Sequence, residues 1–149
     1  MEGNRTLLRV GPQVCDILEA ERFVTDERSG AVATFVGVTR KDVVGGKTVV
    51  ALEFEAHVPL AESVLNQIVE KHRSENPDLR HVFIHHRLGR VPVGEGNVVI
   101  AVSSPHRKSA FTGVQAIMDE LKALLPVWKK EIFDDQTYRW QENAEFRPR

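Results

Sequence analysis

The chain of 149 residues is poor in several features that define common protein classes. Its one cysteine, Cys15, cannot form an internal disulfide or a CxxC metal site, and we expect it to be a small buried residue on a helix. No apolar run approaches the ~20 residues of a membrane span, and the opening MEGNRTLLRV lacks the apolar segment of a secretory signal. These absences predict a cytoplasmic protein.

Motifs that carry familiar chemistries are lacking as well. The sequence contains no Walker loop, GxGxxG, GxSxG or HExxH. His85 and His86 are neighbours on a predicted strand and therefore point to opposite faces, and the other histidines show no ligand spacing. We expect neither a metal site nor a resident cofactor.

The overall charge is nearly balanced, which disfavours a nucleic-acid binder. Twenty lysines and arginines stand against 21 aspartates and glutamates, and the formal net charge is −1. Between Pro105 and Lys130, however, five basic residues stand against two acidic ones, so this segment has a net charge of 5 − 2 = +3. The local excess predicts a site for an anion.

Hydrophobic periodicity predicts a chain of strands and helices. An amino-terminal strand and a short helix near residues 12–22 come first. The remaining predicted strands are AVATFVGV (31–38), VVALEFEA (49–56), HVFIHHRL (81–88), NVVIAVSS (97–104) and VWKKEIF (127–133), and the remaining helices run over 59–73 and from about His106 to Pro126. This order indicates one α+β domain over residues 1–149, with a mixed sheet, packed helices and a polar tail from about residue 141.

The patterns within two strands predict how they are buried. Residues 31–38 are almost all apolar, as in a strand that is covered on both faces. Residues 49–56 alternate, which places Val50, Leu52 and Phe54 on one face and glutamates on the other. A glycine pair between these strands predicts a hairpin turn.

The segment SSPHRKSAF (103–111) lies where a strand gives way to the long helix. The amino end of a helix has unpaired N–H groups and a partial positive charge, so His106 and Arg107 could cradle a phosphate or carboxylate there. Alternatively, Ser103 or Ser104 caps the helix and Arg107 is solvated. The local sequence leaves both interpretations open.

Three lysines surround the end of the long helix. Lys122 lies at the edge of the apolar stripe of the helix, and Lys129 and Lys130 follow on the extended segment. They form either a solvated basic edge or an anion site in which partial burial lowers a lysine pKa for proton transfer. Since neighbours on a strand point to opposite faces, only one of Lys129 and Lys130 is expected to share a site with Lys122.

Besides the helix start and the lysine cluster, a third candidate for the anion site is Arg40. It follows the strand 31–38 and is either solvated or part of the same site. If the long helix begins near His106, Lys122 lies 16 residues further on, or about 24 Å away. One small ligand cannot reach both ends of that helix within one chain. A single site that uses all these groups therefore predicts a symmetric homodimer whose chains share each site.

Five motifs occur in order along the chain: GAVATFVGVTR, LEFEAHVPLAE, HRLGRVPVGE, AVSSPHRKSAF and DELKALLPVWKKE. With them, roughly residues 6–141 resemble the large, catalytic subunits of molybdopterin synthase, the MoaE family. The sequence departs from the family at Pro105, where alanine is more frequent, and at Phe54 and His57, where tyrosines are frequent. None of these departures falls on an expected catalytic residue.

The resemblance implies an α/β-hammerhead fold and a homodimer of large subunits within a heterotetramer, with a small ubiquitin-like subunit at each end. The Gly-Gly tail of the small subunit, charged as a thiocarboxylate, gives sulfur to cyclic pyranopterin monophosphate, and two transfers form the dithiolene of molybdopterin. The present chain ends EFRPR, without a Gly-Gly terminus, so we expect it to accept sulfur from a separate protein. The expected activity is a sulfurtransferase of molybdenum cofactor biosynthesis; the alternative is a non-catalytic adaptor that binds such a tail or a phosphorylated ligand.

Carried over motif by motif, the family's site positions coincide with the basic clusters. The expected catalytic residues are Lys122 and Lys129, which would supply protons and stabilise oxyanions, with the division of roles left open. Arg40, His106 and Arg107 would hold the cyclic phosphate and the pterin. The full set of expected substrate-binding residues is Val38, Thr39, Arg40, His106, Arg107, Lys122, Lys129, Lys130 and Glu131.

Overall fold

Two β-sheets and three α-helices make up the part of the chain that the computed structural model describes, residues 3–141 and residue 145. The helices are α1 (Ile17–Val24), α2 (Val58–Glu75) and α3 (Arg107–Leu124). The strands are β1 (Thr6–Gly11), β2 (Ala31–Val38), β3 (Val43–Val44), β4 (Lys47–Ala56), β5 (Val82–Arg87), β6 (Gly89–Pro92), β7 (Gly96–Ser104), β8 (Val127–Phe133) and β9 (Tyr138–Gln141). The predicted α+β class is confirmed.

The first sheet is four-stranded, in the order β1-β5-β7-β2. β1 and β5 are parallel, and the other two pairs are antiparallel. The central strands β5 and β7 are almost wholly buried, since α2 and α3 cover one face of the sheet and α1 covers the other. The run of five apolar residues in β7 suits this central position.

β5 divides its side chains between the two faces by simple alternation. Val82 and Ile84 pack in the core under α2 and α3, whereas Phe83 packs in the smaller core under α1. The same period of two places His86 on the α3 side and His85 on the α1 side, so the prediction that these histidines face opposite ways is confirmed.

β2 is an edge strand, which corrects the prediction that it is covered on both faces. It pairs with β7 on one side, and among the described strands none pairs with its other edge. Ala33 is buried, but Val32, Phe35 and Val38 have 40%, 37% and 50% of their surface exposed. An apolar run identifies a strand, but it does not show whether the same chain covers that strand.

The second sheet has the order β3-β4-β8-β9, with β6 also pairing with β4. β3 and β4 form a hairpin through Gly45 and Gly46, whose φ angles of 59° and 78° are the left-handed values that a two-residue hairpin turn requires. β8 follows Pro126 directly, as predicted, because proline ends α3 and favours an extended chain. This reversal brings β8 back along β4.

A β-bulge in β4 corrects the predicted alternation of that strand. The register of β4 against β8 shifts by one residue between Val49 and Ala51. Val49, rather than Val50, therefore joins Leu52 and Phe54 in the wall of a cavity between the two sheets and α3.

α1 begins later than predicted. It starts at Ile17, and the Asp16 carboxylate caps it by accepting a hydrogen bond of 3.1 Å from the Glu19 N–H. Cys15 consequently lies ahead of the helix and is only partly buried, so the prediction of a buried cysteine on a helix was wrong. None of the described helices is long and apolar enough to cross a membrane.

Candidate active site

A cavity of about 280 Å³ is lined by both sheets and by the last turns of α3. Apolar side chains from β2, β4 and α3 form much of its wall. The ionisable side chains that line it are Arg40, Asp42, His86, Lys122, Lys129 and Glu131. Three of these are cations, so the cavity is suited to an anion.

The end of α3 and the start of β8 place two lysines in this cavity. Lys122 lies in the last turn of α3, which ends at Leu124 and has Leu125 as its C-cap just before Pro126. β8 then runs back past the helix end, and its alternation turns Lys129 and Glu131 toward the cavity. Of the two neighbouring lysines, Lys129 lines the same cavity as Lys122 and Lys130 does not, as the alternation of a strand predicts.

Burial and mutual charge change the chemistry of this lysine pair. The pKa of Lys129 is lowered, chiefly because burial disfavours its charged form and next because the positive charge of Lys122 lies beside it. A hydrogen bond with the Lys122 side chain acts in the same direction, whereas the Glu131 carboxylate opposes it. A lysine with a lowered pKa exchanges its proton more readily than an exposed lysine does, which suits proton transfer.

Glu131 is a buried carboxylate that is held in place from β9. It is only 3% exposed, and Nε and Nη2 of Arg139 donate hydrogen bonds to its Oε1 at 3.1 and 2.5 Å. The two residues are directly opposite each other in the β8–β9 ladder. Glu131 therefore brings a fixed negative charge to the cavity wall next to Lys129.

Lys130 points away from the cavity. Its Nζ lies 3.0 Å from Glu53 Oε2 and stacks over the rings of Tyr138 and Trp140, at 4.4 and 5.3 Å from their centroids. These partners are on the outer face of the second sheet. The structure thus does not bring Lys130 together with the other expected substrate-binding residues.

Arg40 stands at the edge of the cavity with 83% of its side chain exposed. Its Nε donates to Asp42 Oδ1 at 2.7 Å, an exposed ion pair that contributes little to stability, so the guanidinium can turn toward an entering anion. Val38 also lines the cavity. Thr39 does not: it is 1% exposed, and its backbone N–H donates to the Glu95 carbonyl.

His106 and Arg107 lie at the far end of α3 and are not among the residues that line the cavity. His106 is the N-cap residue of α3 and makes no side-chain capping hydrogen bond. The Ser104 hydroxyl donates instead to the His106 carbonyl at 2.5 Å, so the interpretation of a serine cap was wrong. Within one chain these two basic residues remain about 24 Å from Lys122 along the helix.

His86 was not among the predicted site residues, although the alternation of β5 already placed it opposite His85. Asn97 and Phe54 could not be predicted for a different reason, because no local pattern shows which strand ends meet α3. Within residues 3–141 and 145 no group of three histidine, cysteine or acidic side chains is placed to hold a metal ion.

A lysine pair in a small basic cavity of an α+β fold is typical of an enzyme that acts on an anion. Comparison with known proteins gives the family. The family model described as MoaE protein matches residues 10–124. Molybdopterin synthase catalytic subunit 1 of Aedes aegypti is 51% identical over 132 residues, which cover 87% of this chain and 84% of the relative.

Solved structures share the fold. The molybdopterin synthase of Staphylococcus aureus superposes with a TM-score of 0.82 at 32% identity and covers 95% of this chain and 98% of its own. A protein–protein complex of subunits 1 and 2 of molybdopterin-converting factor from Helicobacter pylori 26695 contains a chain with a TM-score of 0.74, covering 95% of this chain and 92% of its own. At 19% identity the latter shows the fold alone.

The chain belongs to the MoaE family. Its function is the sulfurtransferase step of molybdopterin synthesis, in the biosynthesis of the molybdenum cofactor. The fold that the resemblance implied is confirmed by the Staphylococcus aureus structure.

Proposed function

We propose that this chain transfers sulfur from the thiocarboxylated tail of a small ubiquitin-like subunit to cyclic pyranopterin monophosphate, with Lys122 and Lys129 as the catalytic pair. The observation that carries the proposal is that both lysines line one cavity, where the positive charge of Lys122 lowers the pKa of Lys129. Two neighbouring cations attract both the phosphate of the acceptor and the thiocarboxylate anion of the donor.

The two lysines meet two needs of the reaction. As the thiocarboxylate sulfur attacks a carbon of the pterin side chain, a carbon–oxygen bond of the cyclic phosphate breaks, and the negative charge on the departing oxygen requires a proton or a fixed positive charge. Water then hydrolyses the acyl–sulfur bond, which leaves the sulfur on the pterin and the tail as a carboxylate. Lys129, with its lowered pKa, is suited to give the proton. Lys122 then supplies the positive charge that stabilises the oxyanion, and Arg40 holds the phosphate at the mouth of the cavity.

The sulfur donor is a separate subunit in this proposal. A Gly-Gly tail has no side chains, so it can enter a cavity of about 280 Å³ in extended form together with the reacting end of the pterin. The two-subunit complex from Helicobacter pylori, which has the same fold, supports a small partner. We expect two of each subunit in the assembly, and a cytoplasmic location.

A homodimer through the outer edge of β2, with which no described strand pairs, would complete the site. Ala31 pairs with Ser104, close to His106, at one end of β2, and Val38 lines the cavity at the other end. Eight residues of strand span about 24 Å, which matches the distance that separates His106 from Lys122 along α3.

Two β2 edges that pair antiparallel around a twofold axis would therefore place the Ala31 end of one chain beside the Val38 end of the other. His106 and Arg107 of each chain would then approach the cavity of its partner. The exposed apolar side chains of Val32, Phe35 and Val38 support this choice of interface, since a second copy would cover them.

The experiment is product formation from precursor and thiocarboxylated small subunit by the full chain and its variants. Lys122→Ala should lower kcat at least about a hundredfold, because the transition state loses a half-buried positive charge at the cavity wall. Lys71→Ala is the matched control, since Lys71 lies on α2 and pairs with Glu120 at 3.0 Å. Full product formation by Lys122→Ala would refute the catalytic role. A wild-type chain that binds the thiocarboxylated subunit without forming product would support the adaptor instead.

A further inference from the structure

His86 is a buried polar residue in the cavity wall that the proposed reaction does not use. It lies near the end of β5, between β1 and β7, and is 6% exposed. Its ring packs edge-on against Phe54, with 5.1 Å between centroids and 73° between planes. A polar ring at such a position costs free energy unless its nitrogens find partners, so its presence requires an explanation.

One hydrogen bond fixes the tautomer of His86. Its Nδ1 lies 3.0 Å from the Arg87 carbonyl oxygen. A carbonyl can only accept, so Nδ1 carries the hydrogen and donates it. In the neutral ring Nε2 is then a hydrogen-bond acceptor, and the ring cannot flip without losing the bond to Arg87 and the packing on Phe54.

The surroundings keep the ring neutral. Burial lowers the pKa of His86 to about 4, and the positive charges of Lys122 and, more weakly, Lys129 act in the same direction. Across the strand His85 also lowers this pKa, and the bond to the Arg87 carbonyl raises it. The other charged side chains of the same cavity are Arg40, Asp42 and Glu131.

We propose that His86 is a positioning residue for the catalytic lysines, whose Nε2 accepts a hydrogen bond from Lys122 and aims the Lys122 amino group at the substrate. The inference rests on the proposed catalytic function of Lys122. A lysine is a donor with three hydrogens and no acceptor, so it needs acceptors to fix its direction. A neutral imidazole orients the ammonium group without cancelling the positive charge that the reaction needs, whereas a carboxylate would cancel it.

The kinetic test compares two substitutions of His86 in the assembled enzyme with thiocarboxylated donor and precursor. His86→Leu fills the space without an acceptor, and we expect kcat to fall about tenfold while KM for the precursor changes little. His86→Gln restores an acceptor near the Nε2 position and should return kcat to within about threefold of wild type. Equal kcat values for His86→Leu and wild type, with only the melting temperature changed, would overturn the inference.

A second readout separates this inference from the proposed function. In ¹⁵N-labelled protein the His86 ring should show the Nδ1–H tautomer, and Lys122→Met should shift the Nε2 resonance because it removes the donor. An Nε2 resonance that Lys122→Met leaves unmoved would refute the hydrogen bond even if Lys122 is essential. Unimpaired catalysis by Lys122→Ala would instead refute the proposed function itself.

Discussion

Lys122 and Lys129 reach the same cavity from two consecutive elements, α3 and β8. The positive charge of Lys122 lowers the pKa of Lys129. The Pro126 turn brings both side chains to one cavity, and burial removes part of the water that would otherwise screen the two like charges. Glu131, held by Arg139, limits the repulsion. The result is one lysine that gives up its proton more easily than usual beside a second positive charge.

This interaction predicts that the pKa of Lys129 changes when Lys122 is replaced. In Lys122→Met the pKa of Lys129 should rise, since a neighbouring positive charge is lost, but it should stay below 10.5 because burial is the larger cause. Titration of the ¹³Cε resonance of Lys129 measures it, with Lys71→Met as control. An unchanged or lower pKa in Lys122→Met would show that the two amino groups do not interact.

His86 predicts a specific dependence of stability on pH. Its pKa of about 4 in the folded protein lies below the 6.5 of an unperturbed histidine, so the unfolded chain binds a proton first as the pH falls. Stability from His86 is complete above pH 6.5 and is lost between pH 6.5 and 4, by on the order of 3 kcal/mol.

Urea unfolding of wild type and His86→Leu at several pH values checks this. The difference in unfolding free energy between the two proteins should change in favour of His86→Leu as the pH falls through that window. A difference that does not vary with pH would show that the His86 ring is not held neutral.

The basic residues of the cavity could be predicted from the sequence, whereas the neutral histidine, His86, was missed. Lys122, Lys129 and Arg40 are recognisable because a cation beside an apolar stripe or strand end is unusual. His86 carries no such signal, because a histidine within an apolar strand is equally compatible with a structural role. Its chemistry depends on Phe54 and Lys122, which are distant in sequence and meet it only in the fold.

At the scale of elements, a close contact joins the start of β2 to the loop that leads into α3. A Cβ atom built on Gly30 would lie 2.5 Å from the Pro105 carbonyl oxygen, a backbone atom that no side-chain rotation can move. Gly30 therefore permits the approach that holds His106 and Arg107 next to the edge strand.

Gly30→Ala should accordingly lower the free energy of unfolding by roughly 1–3 kcal/mol. Thermal or urea unfolding gives the measurement, and Gly3→Ala is the control because nothing lies within 4 Å of a Cβ at Gly3. Equal stability of the two variants would mean that the β2–α3 connection is not tightly packed.

The long elements could be predicted, and the short ones could not. α2, α3, β5, β7 and β8 repeat their apolar residues often enough for the period to be visible, and their observed bounds lie within about three residues of the predicted ones. β3, β6 and β9 have two to four residues each, too few to show a period. The bulge in β4 depends on its pairing with β8, which local sequence does not encode.

At the scale of the whole molecule, the central feature is the separation of the basic groups along α3. The cavity holds Lys122, Lys129 and Arg40, while His106 and Arg107 lie at the other end of the helix. Pairing of two β2 edges would bring these groups together without any change of fold. The reason is that β2 runs from the start of α3, near His106, to the cavity that Lys122 lines.

The most direct test of this account is complementation between two inactive chains. Lys122→Ala and Arg107→Ala, each expected to be inactive alone, are co-expressed with different tags and assayed with donor and precursor. In a site shared across a twofold axis, each mixed dimer keeps one site with an intact Lys122 from one chain and an intact Arg107 from the other. Random pairing should then restore about a quarter of wild-type activity. A mixture no more active than the separate variants would contradict the shared site.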